Sequence, residues 1–219
     1  MRWLYDHHRK DSWAASFRRG RMEFFRSLLN SFPRPVTLLD AGGTEGYWIR
    51  MGLAGNPDYR ITLLNLEPAA ADAENLSCQT GDVRDLGRFA DKSFDVVFSN
   101  SVIEHVGDFK DQKRMADELR RVGKNLFVQT PNRFFPVEPH FVFPFFQFLP
   151  AGCRAFLIQH FDLGWRKKIP DREEALREAR SVRLLTRKEL KLLFPGAFIR
   201  EERLLGLVKS FMIVEGFKP

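Results

Sequence analysis

A chain of 219 residues, 44% hydrophobic and 29% charged, suits one compact domain with a buried core. Its net charge of +7 favours anionic partners, but no Lys/Arg block interleaved with aromatics marks a nucleic-acid face, so nucleic acid is disfavoured. No uncharged apolar run approaches the roughly 20 residues that span a bilayer. The opening MRWLYDHHRK holds no apolar signal core, and Cys78 and Cys153 fit no metal spacing. A cytoplasmic protein is expected, without disulfides and without a metal.

In chain order, Trp13, Phe17, Phe24, Leu28 and Phe32 recur at helical spacing and predict a helix over 11–32, with Arg18, Arg19, Arg21 and Arg26 around the remainder. Pro33 and Pro35 end it. Residues 1–35 are thus expected as a helical segment packed on a single domain of 36–219. VTLLDA (36–41) predicts a buried strand, followed by a glycine turn and a helix near 46–53. RITLLNLE (60–67) predicts a second strand, and a weaker third ends near Gly81 and Asp82. FDVVFSN (94–100) is apolar in a continuous run, as a parallel strand covered on both faces should be. A charged amphipathic helix over 108–122 turns Phe109, Met115, Leu119 and Val122 inward, and NLFVQT (125–130) is the fifth strand. This alternation predicts an α/β fold with a doubly wound, mostly parallel, Rossmann-like sheet.

The stretch 131–172 breaks the rhythm with PNRFFPVEPHFVFPFFQFLP. So long an insertion is expected as a lid or pocket wall, or else as partly helical. A helix follows over 171–182, then Thr186 and Glu189 spell a capping box that opens a helix to Phe194. AFIREERLLGL (197–207) and KSFMIVEGF (209–217) predict an antiparallel strand pair at the sheet edge.

The turn LLDAGGTEGYW (38–48) carries the main chemical signal. In open α/β sheets ligands sit beyond the carboxyl ends of the strands, where glycine lets backbone approach them. No Lys follows Gly46, so a phosphate P-loop is excluded; Gly42, Gly43 and Gly46 miss the GxGxxG spacing, which disfavours a nicotinamide-dependent oxidoreductase. The remaining pattern is Asp-x-Gly-x-Gly-x-Gly. LLDAGGTEG, NLEP, GDVRDL and FDVVFSNSVIEHV follow one another in order over about 36–130. Together they resemble the class I S-adenosylmethionine-dependent methyltransferases, especially the small single-domain group called methyltransferase type 11.

The resemblance implies S-adenosylmethionine as cofactor and assigns roles position by position. Asp40, Gly42 and Gly46 stand in register with the glycine motif, and Thr44 replaces its middle glycine beside Gly43. Asn65 occupies the usual acidic position for the ribose hydroxyls, but Glu67, sharing its face on an extended strand, carries the charge. Asp82 and Val83 stand on the adenine side, Asp82 alternatively as a turn aspartate after Gly81. Asn100 and Ser101 would meet the methionine portion. NSVI at 100–103 lacks the NPPY-type signature of many nucleic-acid methyltransferases.

Methyl transfer from a sulfonium needs alignment of the acceptor above all, and a general base when the acceptor is a hydroxyl. His105 is the first candidate base, or a packing residue before the next helix. His140, with Glu138 two residues earlier, is the second, or a loop pair over an aromatic core. Glu104 is expected to point away from His105, as neighbours on an extended segment do. The aromatic insertion is expected as core plus pocket wall, with peripheral membrane contact as the alternative. Basic charge and aromatic surface point to a small-molecule, lipid or glycan acceptor, lipid-linked or anionic, methylated on oxygen. A catalytically inactive binding or regulatory module on the same fold is the alternative, for which Thr44 argues. The sequence carries no signal for oligomeric state.

Overall fold

The computed structural model describes residues 13–217. Residues 1–12, including the start of the expected first helix, lie outside this set, as does the side chain of Trp13. Nine strands and six helices are described: α1 (Trp13–Leu29), β1 (Val36–Ala41), α2 (Glu45–Met51), β2 (Tyr59–Asn65), β3 (Leu76–Thr80), β4 (Phe94–Asn100), α3 (Phe109–Val122), β5 (Gly123–Pro131), β6 (Val137–Glu138), β7 (Phe143–Pro144), α4 (Ala151–His160), α5 (Arg172–Arg180), α6 (Arg187–Leu193), β8 (Phe198–Leu204) and β9 (Leu207–Glu215). The main sheet has seven strands in the order β3-β2-β1-β4-β5-β9-β8. The first five are parallel, β9 runs antiparallel to β5, and β8 forms the outer edge against β9. The order reverses between β1 and β4, so both strands point their carboxyl ends at one crevice.

Period-two alternation splits β1 between two cores. Leu38 packs with Phe25 and Leu29 of α1, Trp48 of α2 and Phe98. Leu39 faces the other way, among Val97, Met115, Leu119 and Leu190. Phe25 and Leu29 are fully buried, and each such side chain is worth about 1.5–3 kcal/mol. Asp108 and Asp171 cap α3 and α5 by accepting backbone N–H bonds, and Thr186 with Glu189 forms the complete capping box of α6.

One boundary differs from expectation in a way that matters. β2 ends at Asn65, so Glu67 lies beyond the strand, and the shared face argued for the two does not exist. The insertion is partly helical, one of the two expected forms: it holds the β6–β7 pair and the ten-residue α4. Phe141, Phe146, Ala155 and Ile158 build a third apolar cluster with Ala175 and Ala179 of α5. Among the described residues, no helix is long and apolar enough to cross a membrane.

Candidate active site

The glycine turn answers to three different constraints. Gly42 has φ +88°, and a Cβ there would fall 2.5 Å from Cγ2 of Val102, so both conformation and space require glycine. Gly43 is excluded from carrying a side chain by Asp40, whose Oδ2 would lie 1.5 Å from its Cβ. Thr44, by contrast, is the N-cap of α2 in ordinary extended geometry (φ −128°, ψ 150°) and does not need glycine's freedom. Gly46 has only the tip of Arg50 near a would-be Cβ, at 3.4 Å. The Asn65 amide donates to the Gly43 carbonyl at 2.9 Å, tying the turn to the end of β2.

Asp40 is buried beneath this turn and accepts from the Trp48 indole at 2.7 Å. Its other oxygen has no hydrogen-bond partner. Burial pushes the carboxyl up to about 7, against the Trp48 bond that favours the charged form.

Two clefts open beyond the strand ends. One, of about 580 Å³, is lined by Gly42, Asn65, Glu67, Asp82, Val83 and Val102. Glu67 is exposed at its rim, and Val83 is largely buried. Both oxygens of Asp82 accept from Arg84, at 2.6–3.0 Å, which holds that carboxyl below its usual range. The second cleft, of about 430 Å³, is lined by Asn100, Ser101, Tyr47 and His140, and by four cations, Arg18, Arg21, Arg50 and Lys209. His105 lines both clefts. Ser101 is held at φ +57° by its N–H to the Gln129 carbonyl (2.9 Å) and its hydroxyl to the Gln129 side chain (2.8 Å). A non-glycine residue kept there costs about 1–3 kcal/mol, and such strain concentrates at functional sites. Asn100 accepts from Arg21 at 3.0 Å, and Arg21 also pairs with Glu202 at 3.2 Å. Burial, then Arg21, pushes Lys209 down to about 8.

The sequence singled out His105, His140 and Glu138, and the structure brings all three together. His105 and His140 face each other with their Nε2 atoms 3.1 Å apart. Glu138, almost wholly buried, meets Nδ1 of His140 at 2.6 Å and accepts the backbone N–H groups of His140 and Phe141. Glu104 departs from expectation. A 3-10 turn over Ile103–His105 swings it inward, where Thr130 donates to Oε2 at 2.9 Å and Oε1 lies 4.0 Å from Nε2 of His140. Burial pushes its carboxyl up to about 7. The sequence named Glu104 only as a neighbour expected to point away from His105, because its burial depends on that turn. The four cations were likewise invisible as a set, since three separate segments supply them.

Part of the chain is similar to known proteins. Residues 39–126 match the model of the methyltransferase domain family. Over this stretch, less than half of its length, the chain is similar to that family. An uncharacterised protein of Mycobacterium tuberculosis is 34% identical over 89 residues, 41% of this chain and 29% of its own length. A protein of Encephalitozoon cuniculi, named provisionally as a methyltransferase, is 37% identical over 100 residues, 46% of each chain. The matched stretch therefore spans less than half the length of these relatives. The carbon methyltransferase CurJ shares the fold, with a TM-score of 0.57 over 97% of this chain and 56% of its own at 14% identity.

The matched family implies S-adenosylmethionine as the cofactor, and the residues around the first cleft fit it. The unpartnered Oδ1 of Asp40 lacks a donor of the kind the methionine ammonium supplies, directly or through water. Glu67 offers an acceptor to ribose hydroxyls, and Asp82 retains lone pairs beyond those used by Arg84. Gly42 lines this cleft and adds no side chain of its own to it.

Proposed function

We propose that the chain is an active S-adenosylmethionine-dependent methyltransferase that methylates an oxygen of an anionic acceptor, a small molecule, lipid or glycan. The observation that carries this reading is the position of His105, shared by the carboxylate-rimmed cleft and the cationic one. Cofactor in the first and acceptor in the second would meet beside the imidazole pair. Bound cofactor supplies an already activated methyl group. The chain's own residues then orient the acceptor and promote loss of its hydroxyl proton. The methyl passes from sulfur to oxygen, the S–C electron pair stays on sulfur, and the products are the methylated acceptor, S-adenosylhomocysteine and a proton.

Arg18, Arg21, Arg50 and Lys209 support an anionic acceptor, because four cations line this one cleft, where Glu202 pairs with Arg21 and stands 4.0 Å from Lys209. The inactive alternative loses its argument at Thr44, whose backbone is ordinary for any residue. Cys78 and Cys153 are free, which supports a reducing, cytoplasmic setting. The test is calorimetric titration with S-adenosylhomocysteine, followed by a panel of acceptors assayed for its release. Micromolar binding and turnover confined to anionic hydroxyl compounds are expected. Binding without turnover on any hydroxyl acceptor would return the inactive reading.

A further inference from the structure

The imidazole pair stands beside a buried carboxylate oxygen that has no hydrogen-bond partner. Nδ1 of His140 is engaged by Glu138 at 2.6 Å, and because that carboxylate already accepts two backbone N–H groups, it favours the proton on Nδ1. His105 and His140 bring their Nε2 atoms to 3.1 Å, where a neutral ring that carries its proton on Nδ1 has a lone pair to offer. Beside them, Oε1 of Glu104 is fully buried, has no hydrogen-bond partner and lies 4.0 Å from Nε2 of His140. Three Lewis-basic atoms thus converge within 4.8 Å of one another.

We propose that Glu104, His105 and His140 form a site for a divalent transition ion of the zinc class at the mouth of the cationic cleft. Ligand atoms bonded at about 2.0–2.1 Å in tetrahedral geometry stand about 3.3 Å apart, so the imidazole spacing already fits and only the Glu104 edge has to close. Glu138, 2.6 Å from Nδ1 of His140, is the kind of outer partner that fixes ring orientation in such sites. Two histidines and one carboxylate leave a coordination position open, and the cleft that His105 and His140 line is where it opens. There the ion takes the acceptor oxygen, lowers the pKa of its hydroxyl and lets the proton pass to water, while the imidazoles act as ligands. That role rests on the proposed methyl transfer; the binding of the ion does not.

The experiment uses the full chain stripped with a chelator and dialysed. Zn2+ is titrated by calorimetry and Co2+ by visible absorption, with S-adenosylhomocysteine binding measured on every sample as the check of fold and cofactor site. One ion per chain is expected, with a d–d spectrum of low coordination number. His140→Asn should abolish it, and Glu138→Gln should weaken Zn2+ about 10–100-fold while S-adenosylhomocysteine affinity holds. Absence of Zn2+ and Co2+ binding, or equal binding by His140→Asn, would overturn the site and leave the rings as a proton-sharing pair. Metal binding without S-adenosylhomocysteine binding would keep the site and sink the methyl-transfer reading instead.

Discussion

The two sides of the crevice were built in different ways. The side proposed for the cofactor lies on the parallel frame β1 to β5, where few residues have freedom: Gly42 and Gly43 are fixed by conformation and by Asp40, and Asn65 locks the turn. The side proposed for the acceptor is assembled from distant pieces, with Arg18 and Arg21 from α1, Arg50 from α2, His140 from the insertion and Lys209 from β9. Substitutions should therefore separate binding of cofactor from turnover.

The largest separation is expected at His140. His140→Ala should lower kcat/KM by about 10²–10⁴ while the Kd for S-adenosylhomocysteine stays within a factor of two, as steady-state kinetics and calorimetry would check. A parallel loss of cofactor affinity would break the division into two sides. Gly43→Ala tests the other side: driving a methyl into the Asp40 carboxylate should cost on the order of 3 kcal/mol of stability in urea titration and weaken the cofactor together with it. Unchanged stability would mean that the turn is softer than its packing implies.

A smaller effect is expected at Lys209. Lys209→Met should raise KM for an anionic acceptor about tenfold with little change in kcat, the loss of one charge-assisted hydrogen bond. Because its pKa sits near 8, depressed by burial and by Arg21 and Arg18 and partly restored by Glu202, the ammonium is charged below that pH and neutral above it. KM should rise as pH passes through about 8, and the Met variant should lose that inflection. Smallest of all, Thr44→Gly should change stability by only a few tenths of a kcal/mol and leave cofactor affinity within twofold, since the threonine already sits in open, extended geometry. A large gain in affinity would restore weight to the substitution as a defect.

The same division explains what the sequence could disclose. β1 and β4 were legible to the residue because parallel strands covered on both faces show as unbroken apolar runs bounded by turn residues. The capping box of α6 was legible because it is a local hydrogen-bond exchange. α4 was not: AGCRAFLIQH has apolar residues without a dominant face, and Pro150 at its N-cap offers no side-chain bond. Glu104 was placed wrongly because side-chain direction follows backbone class, and a three-residue 3-10 turn reverses what an extended segment would give. His140 and Glu138 could be paired by spacing, but that they meet His105 is set by tertiary folding over 35 residues.

The outer strand β8 has a consequence for the molecule's behaviour in crowded solution. An open sheet edge presents unpaired backbone groups that can recruit a strand from another chain. Here the edge carries Arg200, Glu201, Glu202 and Arg203 in succession, with Glu202 turned in towards Arg21 and Ser210 and Glu201 bonded to Arg203. A strand so dense in charge is a poor template for cross-chain stacking, so the flank that closes the sheet also guards the protein against fibrillar self-association.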